Sequence, residues 1–416
     1  MSLTRRDRRL RRPSAVLLAL LLAIGQGSGV AVADHGGRDI GSFMACDRPV
    51  SPPRCTSVGD GRLHLVAFDE SLREDLAVSL RDSMAEDYDA PTRLRLIEQP
   101  RVTPLTDVIA FSGDYGDNGA AGWVYCPSDA PQGINRFDHR WCRHQELHLN
   151  YNPRFGLFFD DEASRGHIAC HELGHTLGLR HWGNPPETDG PVGATCMHAN
   201  TPNGPTSLHQ TDIDHLNRYR FPVIPRPAGV RIVRAPTPPT AFLGMSSGPV
   251  HALQTGEANS LPELVAGSDA VVHARVIALE PGRVFGPSSR PLHYAAATVA
   301  VVETLAGALP GDHAATLTLE IPLFDGPDAI ERLRAATVGT ERVLFLRNKG
   351  ASAADAGMSV EEQAADAAYY RLTSFAAEIV ETEGVALVPP ADSDALGALH
   401  GRPFGDVLDE LRSLVR

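Results

Sequence analysis

The sequence predicts an α+β domain built on a mixed sheet, followed by a second, mainly β domain of sandwich or barrel type. Three observations predict it. Before residue 220, hydrophobic runs of period two alternate with runs of helical period. After residue 250, short β-rich runs punctuated by Gly and Pro take over. Between them, "FPVIPRPAGVRIVRAPTPPTAFLG" (221–244) carries six prolines. Proline withholds a backbone donor and favours extended chain, so this stretch reads as a semi-rigid linker. All six cysteines, Cys46, Cys55, Cys126, Cys142, Cys170 and Cys196, lie before residue 200, and this asymmetry marks the same boundary.

The chain opens with "TRRDRRLRRP", then the apolar "SAVLLALLLAIG", then a small-residue "AVA" before Asp34. That order is a secretory signal, cut after Ala33. Arg5 and Arg6 fit twin-arginine export, and a generally basic head explains them equally well. No later run is apolar over about 18 residues, so no membrane span is expected. The net charge of −13 includes six arginines in residues 1–33, so the mature protein is more acidic still. Such a surface repels nucleic acid and anionic lipid and keeps an exported protein soluble. A monomer is expected. An even cysteine count in an exported chain reads as disulfides, with fifteen pairings open.

"RLHLVAF" alternates as a strand. "SLREDLAVSLRDSMAEDY" places Leu72, Leu76, Leu80 and Met84 on one helical face. Short strands follow at "TRLRLIEQ", "TDVIAFSG" and "GWVYC", and "ELHLNYN" (146–152) alternates again. A helix then begins near Asp161 or Ser164, and "LHQTDIDHLNRYR" forms the last helix of this half. In the second half, "DAVVHARVIAL", "HYAAATVAVVETL", "ATLTLEI", "ERVLFLR" and "AAYYRLTSF" are strands, and "PFGDVLDELRSLVR" is an amphipathic closing helix. The run from "SDAVVHARVIAL" to "VAVVETLAGALPGD" resembles oligonucleotide-fold barrels of the netrin and protease-inhibitor type.

The chemistry concentrates in "ACHELGHTLGLRHW" (169–182). Residues four apart share a helix face, so His171 and His175 can aim ring nitrogens at one cation. Glu172 is directed past the first of them, toward a water at that cation. A third ligand cannot come from the same straight helix, and Gly178 supplies the bend that returns His181. Three histidines leave zinc an open fourth position, the mark of a catalytic rather than a structural site. A bare His-Glu-x-x-His arises by chance in roughly a few per cent of chains this long; the added Gly and His lower that to about one in several thousand.

The complete set His171, Glu172, His175, Gly178 and His181 resembles the metzincin clan of zinc endopeptidases, matrixin-like or reprolysin-like. The resemblance covers roughly 56–222. It implies one catalytic Zn²⁺, a twisted mixed sheet, an active-site helix and a methionine turn under the metal, which "GATCMHAN" supplies as Met197. It implies Glu172 as general base, an extended polypeptide as substrate, and internal cleavage. It also makes "ELHLNYN" the sheet edge along which substrate lies. Trp182 after the third histidine and Ala199 after the turn match none of the common family variants, so the family within the clan stays open. A methionine turn under the helix would bring Cys170 to Cys196; Cys126–Cys142 and Cys46–Cys55 would then close local loops. Pro53-Arg54-Cys55 has the look of a matrixin latency thiol, but Thr56 to Gly59 depart from that pattern and the even cysteine count favours a disulfide.

Other polar groups read more blandly. His167 lies too far along the helix to join the set. His139, His144 and His148, with Asp114, Asp117, Asp160 and Asp161, could hold a second zinc or a structural calcium, a reading without further support; solvated loop residues explain them more simply. The divisions expected are 1–33 signal peptide, 34–55 N-terminal segment, 56–222 metalloprotease domain, 223–250 linker and 251–416 β-rich accessory domain. Two other functions remain open: a secreted binding protein whose zinc braces the fold, and a zinc hydrolase of another amide.

Overall fold

Two hydrophobic sheets, each with its own core, organise the computed structural model. It describes residues 61–416 except 128, 135–139, 180, 182–194, 199–203, 218–242, 244–250, 255–257, 259, 312, 325, 390–394, 415 and 416. The stretch 1–33 read as a signal, Cys46, Cys55, His139, Trp182, Ala199 and most of the proline-rich segment lie outside the described residues.

The first sheet begins with β1 (Leu63–Phe68). Helix α1 (Glu74–Ser83) follows, with acidic residues in its first turn where the helix dipole favours them, and runs on as a π-helical turn through Asp89. Leu76, Leu80 and Met84 of its apolar face are buried, as the periodicity predicts. Strands β2 (Arg95–Gln99), β3 (Val108–Gly113), β4 (Ala120–Tyr125), β5 (Gln132–Ile134), β6 (Arg140–Cys142) and β7 (Gln145–Asn150) come next. A 3₁₀ turn leads into helix α2 (Glu162–Thr176), and α3 (Gln210–His215) and β8 (His251–Gln254) complete this part. The sheet order is β2-β1-β3-β7-β4-β8. Strands β2, β1, β3 and β7 run parallel; β4 is antiparallel to β7, and β8 is antiparallel to β4.

This order corrects the expectation for "ELHLNYN". Strand β7 is not a sheet edge: β3 flanks it on one side and β4 on the other. All six of its residues are buried, polar ones included, and those of β4 are too. The alternation was real but did not mean one wet face. Its polar positions are satisfied inside the protein: Asn150 Nδ2 donates to the carbonyls of Gly116 and Ala120, and Gln145 Nε2 donates to Thr176 O. The strand that borders the edge is β4, read in the sequence only as a short strand.

The second sheet contains β9 (Ala270–Phe285), β10 (Leu292–Gly307), β11 (Thr316–Leu323), β12 (Glu341–Asn348), β13 (Tyr369–Leu372), β14 (Glu378–Thr382) and β15 (Val385–Leu387). Its order is β13-β11-β10-β9-β12-β14-β15, and β13 also pairs with β12. Five strands therefore close on themselves, which removes their unpaired edges. Helix α4 (Leu261–Ala266) precedes the ring and α5 (Ala329–Thr337) lies between β11 and β12. Helices α6 (Lys349–Asp355) and α7 (Val360–Asp366) follow, and α8 (Phe404–Leu414) ends the described chain. The last presents Phe404, Val407, Leu408 and Leu411 to the barrel core.

The halves share a third core. Tyr115, Ala120, Trp123 and Tyr125 from the first pack with Leu292, Tyr294, Phe324 and Phe375 from the second. Beside it lies a buried ion network. Asp117, with no side-chain exposure, meets Arg371 Nε at 2.7 Å, and Glu320 meets Arg283 at 2.6 Å and Lys349 at 2.7 Å. Asp366 bridges Arg154 and Arg283. No helix among the described residues is long and apolar enough to cross a membrane.

Candidate metal centre

Helix α2 carries the site, and its ends are set by local chemistry. Asp161 caps the start, its side chain accepting from Ser164 N at 2.7 Å. At the other end Gly178 N donates to His175 O and Leu179 N to Gly174 O, both at 3.0 Å, the paired bonds of a Schellman stop. Gly178 takes φ 91°, a conformation that side-chain-bearing residues resist. The reversal brings His181 back over the helix.

His171, His175 and His181 come together. Their Nε2 atoms are 2.9 Å (171–175), 3.0 Å (171–181) and 3.1 Å (175–181) apart. His171 Nδ1 lies 2.7 Å from Cys196 O and His175 Nδ1 lies 2.8 Å from Leu179 O. A carbonyl only accepts, so those nitrogens carry the protons and each Nε2 presents a lone pair to the centre. Burial, reinforced by His175, His181 and His167, holds the His171 imidazolium well below the usual histidine range, so the ring is neutral near pH 7. Lone pairs packed this closely repel one another unless a cation shares them. Three nitrogens on tetrahedral bonds of about 2.0–2.1 Å would stand about 3.3 Å apart, a few tenths wider than found. The triad could hold one metal ion.

The floor is built from the segment 195–198. Met197 is fully buried beneath α2, and a β-carbon on Gly174 would stand 2.3 Å from its sulfur. Gly174 is therefore what lets methionine and helix approach, a role the sequence reading missed. Cys196 does two things: it is bonded to Cys170 on α2, and its carbonyl orients His171. The second disulfide is Cys126–Cys142, which ties the end of β4 to β6. Tyr88 donates to Cys170 O at 2.6 Å, and Thr195 Oγ1 donates to Asp212 at 2.7 Å. These bonds brace the helix and the floor from both sides.

Glu172 is fully buried on the side of α2 that faces β4. A β-carbon on Gly122 of β4 would stand 2.6 Å from its Oε1, so the strand backbone lies directly against the carboxylate. Gly122 is a second residue that sequence reasoning passed over; "AAGWVY" would have offered the glycine inside a strand as the signal.

The remaining candidates are placed elsewhere. His167 is buried with Nδ1 2.7 Å from Pro205 O and its ring centroid 6.0 Å from that of His171. His144 bonds Thr103 O through Nε2. His148 stacks between Phe111 and Trp123 and meets Glu146 Oε2 at 3.1 Å and Tyr115 Oη at 3.0 Å. Asp114 accepts from Asn152 and Gly116 N, Asp117 belongs to the ion network, and Asp160 and Asp161 are exposed. The reading of Asp117 and His148 as solvated loop residues is thus corrected, since both are buried and bonded inside the protein, while Asp114 stays exposed.

No family model and no curated protein matches the chain. Among solved structures it is similar to High choriolytic enzyme 1, a hatching enzyme zinc-protease from Oryzias latipes (medaka fish). The identity is 12%, the match covers 41% of this chain and 95% of that one, and the TM-score is 0.23. A TM-score that low establishes no shared fold.

Proposed function

We propose that the protein is an exported zinc endopeptidase of metzincin type that hydrolyses internal bonds of extended polypeptides. The observation that carries this is the convergence of three imidazoles, their Nε2 atoms within about 3 Å of one another, with the Glu172 carboxylate buried one residue from the first of them. His171, His175 and His181 would hold the ion, and their donor set and count leave a side open to water and substrate. A zinc ion there supplies Lewis acidity to a scissile carbonyl and lowers the pKa of water.

The chain's own groups do the rest. Glu172 accepts a proton from the attacking water and carries it to the leaving amine, a role typically worth about 10²- to 10⁴-fold. Backbone carbonyls of Cys196 and Leu179 keep the imidazole Nδ1 atoms protonated, so ligation through Nε2 is fixed in advance. The backbone of β4 runs past Glu172, and its outer side, on which β8 lies, would offer main-chain hydrogen bonds to a peptide that took that place. The signal-like start of the sequence, the two disulfides and the acidic composition support export; residues 56–222 would form the protease domain and 251–416 its accessory domain.

The test is digestion of a mixed peptide library by the mature protein, with products read by mass spectrometry. Internal cuts that stop on chelation and return with zinc are expected. Glu172→Gln should keep the metal and lose about 10²-fold or more of the cleavage rate. Undiminished cleavage by that variant contradicts the mechanism; metal binding with no cleavage by either form leaves only a fold-bracing ion.

A further inference from the structure

Strand β8 occupies a place that a fold needs no help to fill. The register along the outer side of β4 is Ala120 opposite Gln254, Gly122 opposite Leu253, Trp123 opposite Ala252 and Val124 opposite His251, with an irregularity between Ala120 and Gly122. The pairing is antiparallel. Gly122 is the residue whose α-carbon stands against Glu172, so the backbone of Leu253 crosses the sheet edge beside the proposed general base. Helix α2 lies close to β8 as well as to β4. An extended backbone, hydrogen-bonded to β4 and passing the carboxylate, is the posture a peptide must take to be cut.

We infer that residues 251–254 are an internal substrate mimic that occupies the peptide-binding edge of β4 and holds the enzyme latent. The inference rests on the endopeptidase reading above, because only a peptide-cleaving site has a use for that edge. Its physics is competition. The strand is tethered on both sides, to the first half and to α4 seven residues later, so its local concentration at β4 is of the order of millimolar. A free peptide at micromolar concentration loses to it. Substrate binds only in the fraction of molecules whose β8 has lifted, and its apparent affinity falls by that fraction. A strand that merely covered an edge against aggregation would give stability with no effect on turnover.

The experiment uses the full-length mature protein and a double substitution, Ala252→Pro with Leu253→Pro. Adjacent positions on a strand direct their N–H groups to opposite sides, so one of the two prolines removes a donor to β4. A gentler pair, Ala252→Gly with Leu253→Gly, weakens the strand and keeps both donors. Near-ultraviolet circular dichroism checks that each remains folded. Two quantities are read: binding of a fluorescent peptide copying residues 249–256, and kcat/KM on a quenched reporter peptide. The expected order for both is wild type, then the glycine pair, then the proline pair, with kcat/KM rising about tenfold or more in the last. Equal binding by all three, or equal kcat/KM once binding has increased, overturns the inference. Should the variants bind the copy more tightly while no form cleaves any peptide, the occlusion stands and the endopeptidase reading falls.

Discussion

Gly122 and Glu172 show how much of the chemistry depends on a side chain that is absent. The carboxylate rests where a β-carbon on residue 122 would be, 2.6 Å from Oε1. A β-carbon there would also stand 2.9 Å from the carboxyl and γ carbons of Glu172, so Gly122→Ala should shift that side chain while leaving the three histidines in place to bind metal. Its carboxylate would sit about 1 Å off, and misplacement of that size costs about 10²-fold in kcat. Steady-state kinetics beside metal content check this; unchanged kcat means the carboxylate is not the proton carrier. Away from the site, burial pushes the Asp87 carboxyl up to about 6, opposed by the hydrogen bond from Ser83 and helped by Glu86. Its unfolded value is 3.8. The folded state therefore holds the proton more tightly, and stability falls as pH rises from about 4 to 6. Asp87→Asn should raise the melting temperature at pH 7 and leave it unchanged near pH 3, as thermal scans at the two values would show.

At the scale of elements, the helix that carries the histidines was legible in its sequence because every signal agreed. The capping Asp161, the His-Glu-x-x-His spacing and the terminating Gly178 are all local, and the structure uses each in the way its chemistry suggests. Strand β7 was misread because alternation reports a two-sided environment without saying whether the polar side is water or protein. Here the polar side, Glu146, His148 and Asn150, meets Arg290, Tyr115 and the loop before β4. Helices α6 and α7 went unseen, since "KGASAADAGMSVEEQAAD" has too few apolar residues to show a face. Their caps, Asn348 and Ser359, were the available signal. The ion network beside them was illegible for a different reason, as its members come from residues 117 to 371. Burial alone would raise the Asp117 carboxyl, but Arg371, Lys349 and Arg154 more than offset it and hold it below the usual range. Removing one member of a buried network strands the others, so Asp117→Ala should cost about 3–5 kcal/mol, measured by urea denaturation. A loss under about 1 kcal/mol would mean that the network is wet.

The whole molecule joins the sheet beside the histidine triad to a closed ring of strands through shared aromatic packing and shared ions. Trp123 on β4 belongs to that shared core, so the strand that meets Glu172 is anchored by the second half as well as the first. The proline-rich composition between the halves suggested a spacer. What composition could not show is that the chain leaving it adds β8 to the first sheet before the ring begins. Function and restraint would then lie along one strand.

The most direct measurement is a calorimetric titration of zinc into metal-free mature protein, run in parallel on His181→Ala and Glu172→Gln. One ion per chain is expected for the wild type, the same stoichiometry for Glu172→Gln, and a loss of affinity of at least about 100-fold for His181→Ala, as befits a site reduced to two ligands. Zinc bound equally well without His181, or not bound at all, would contradict the account.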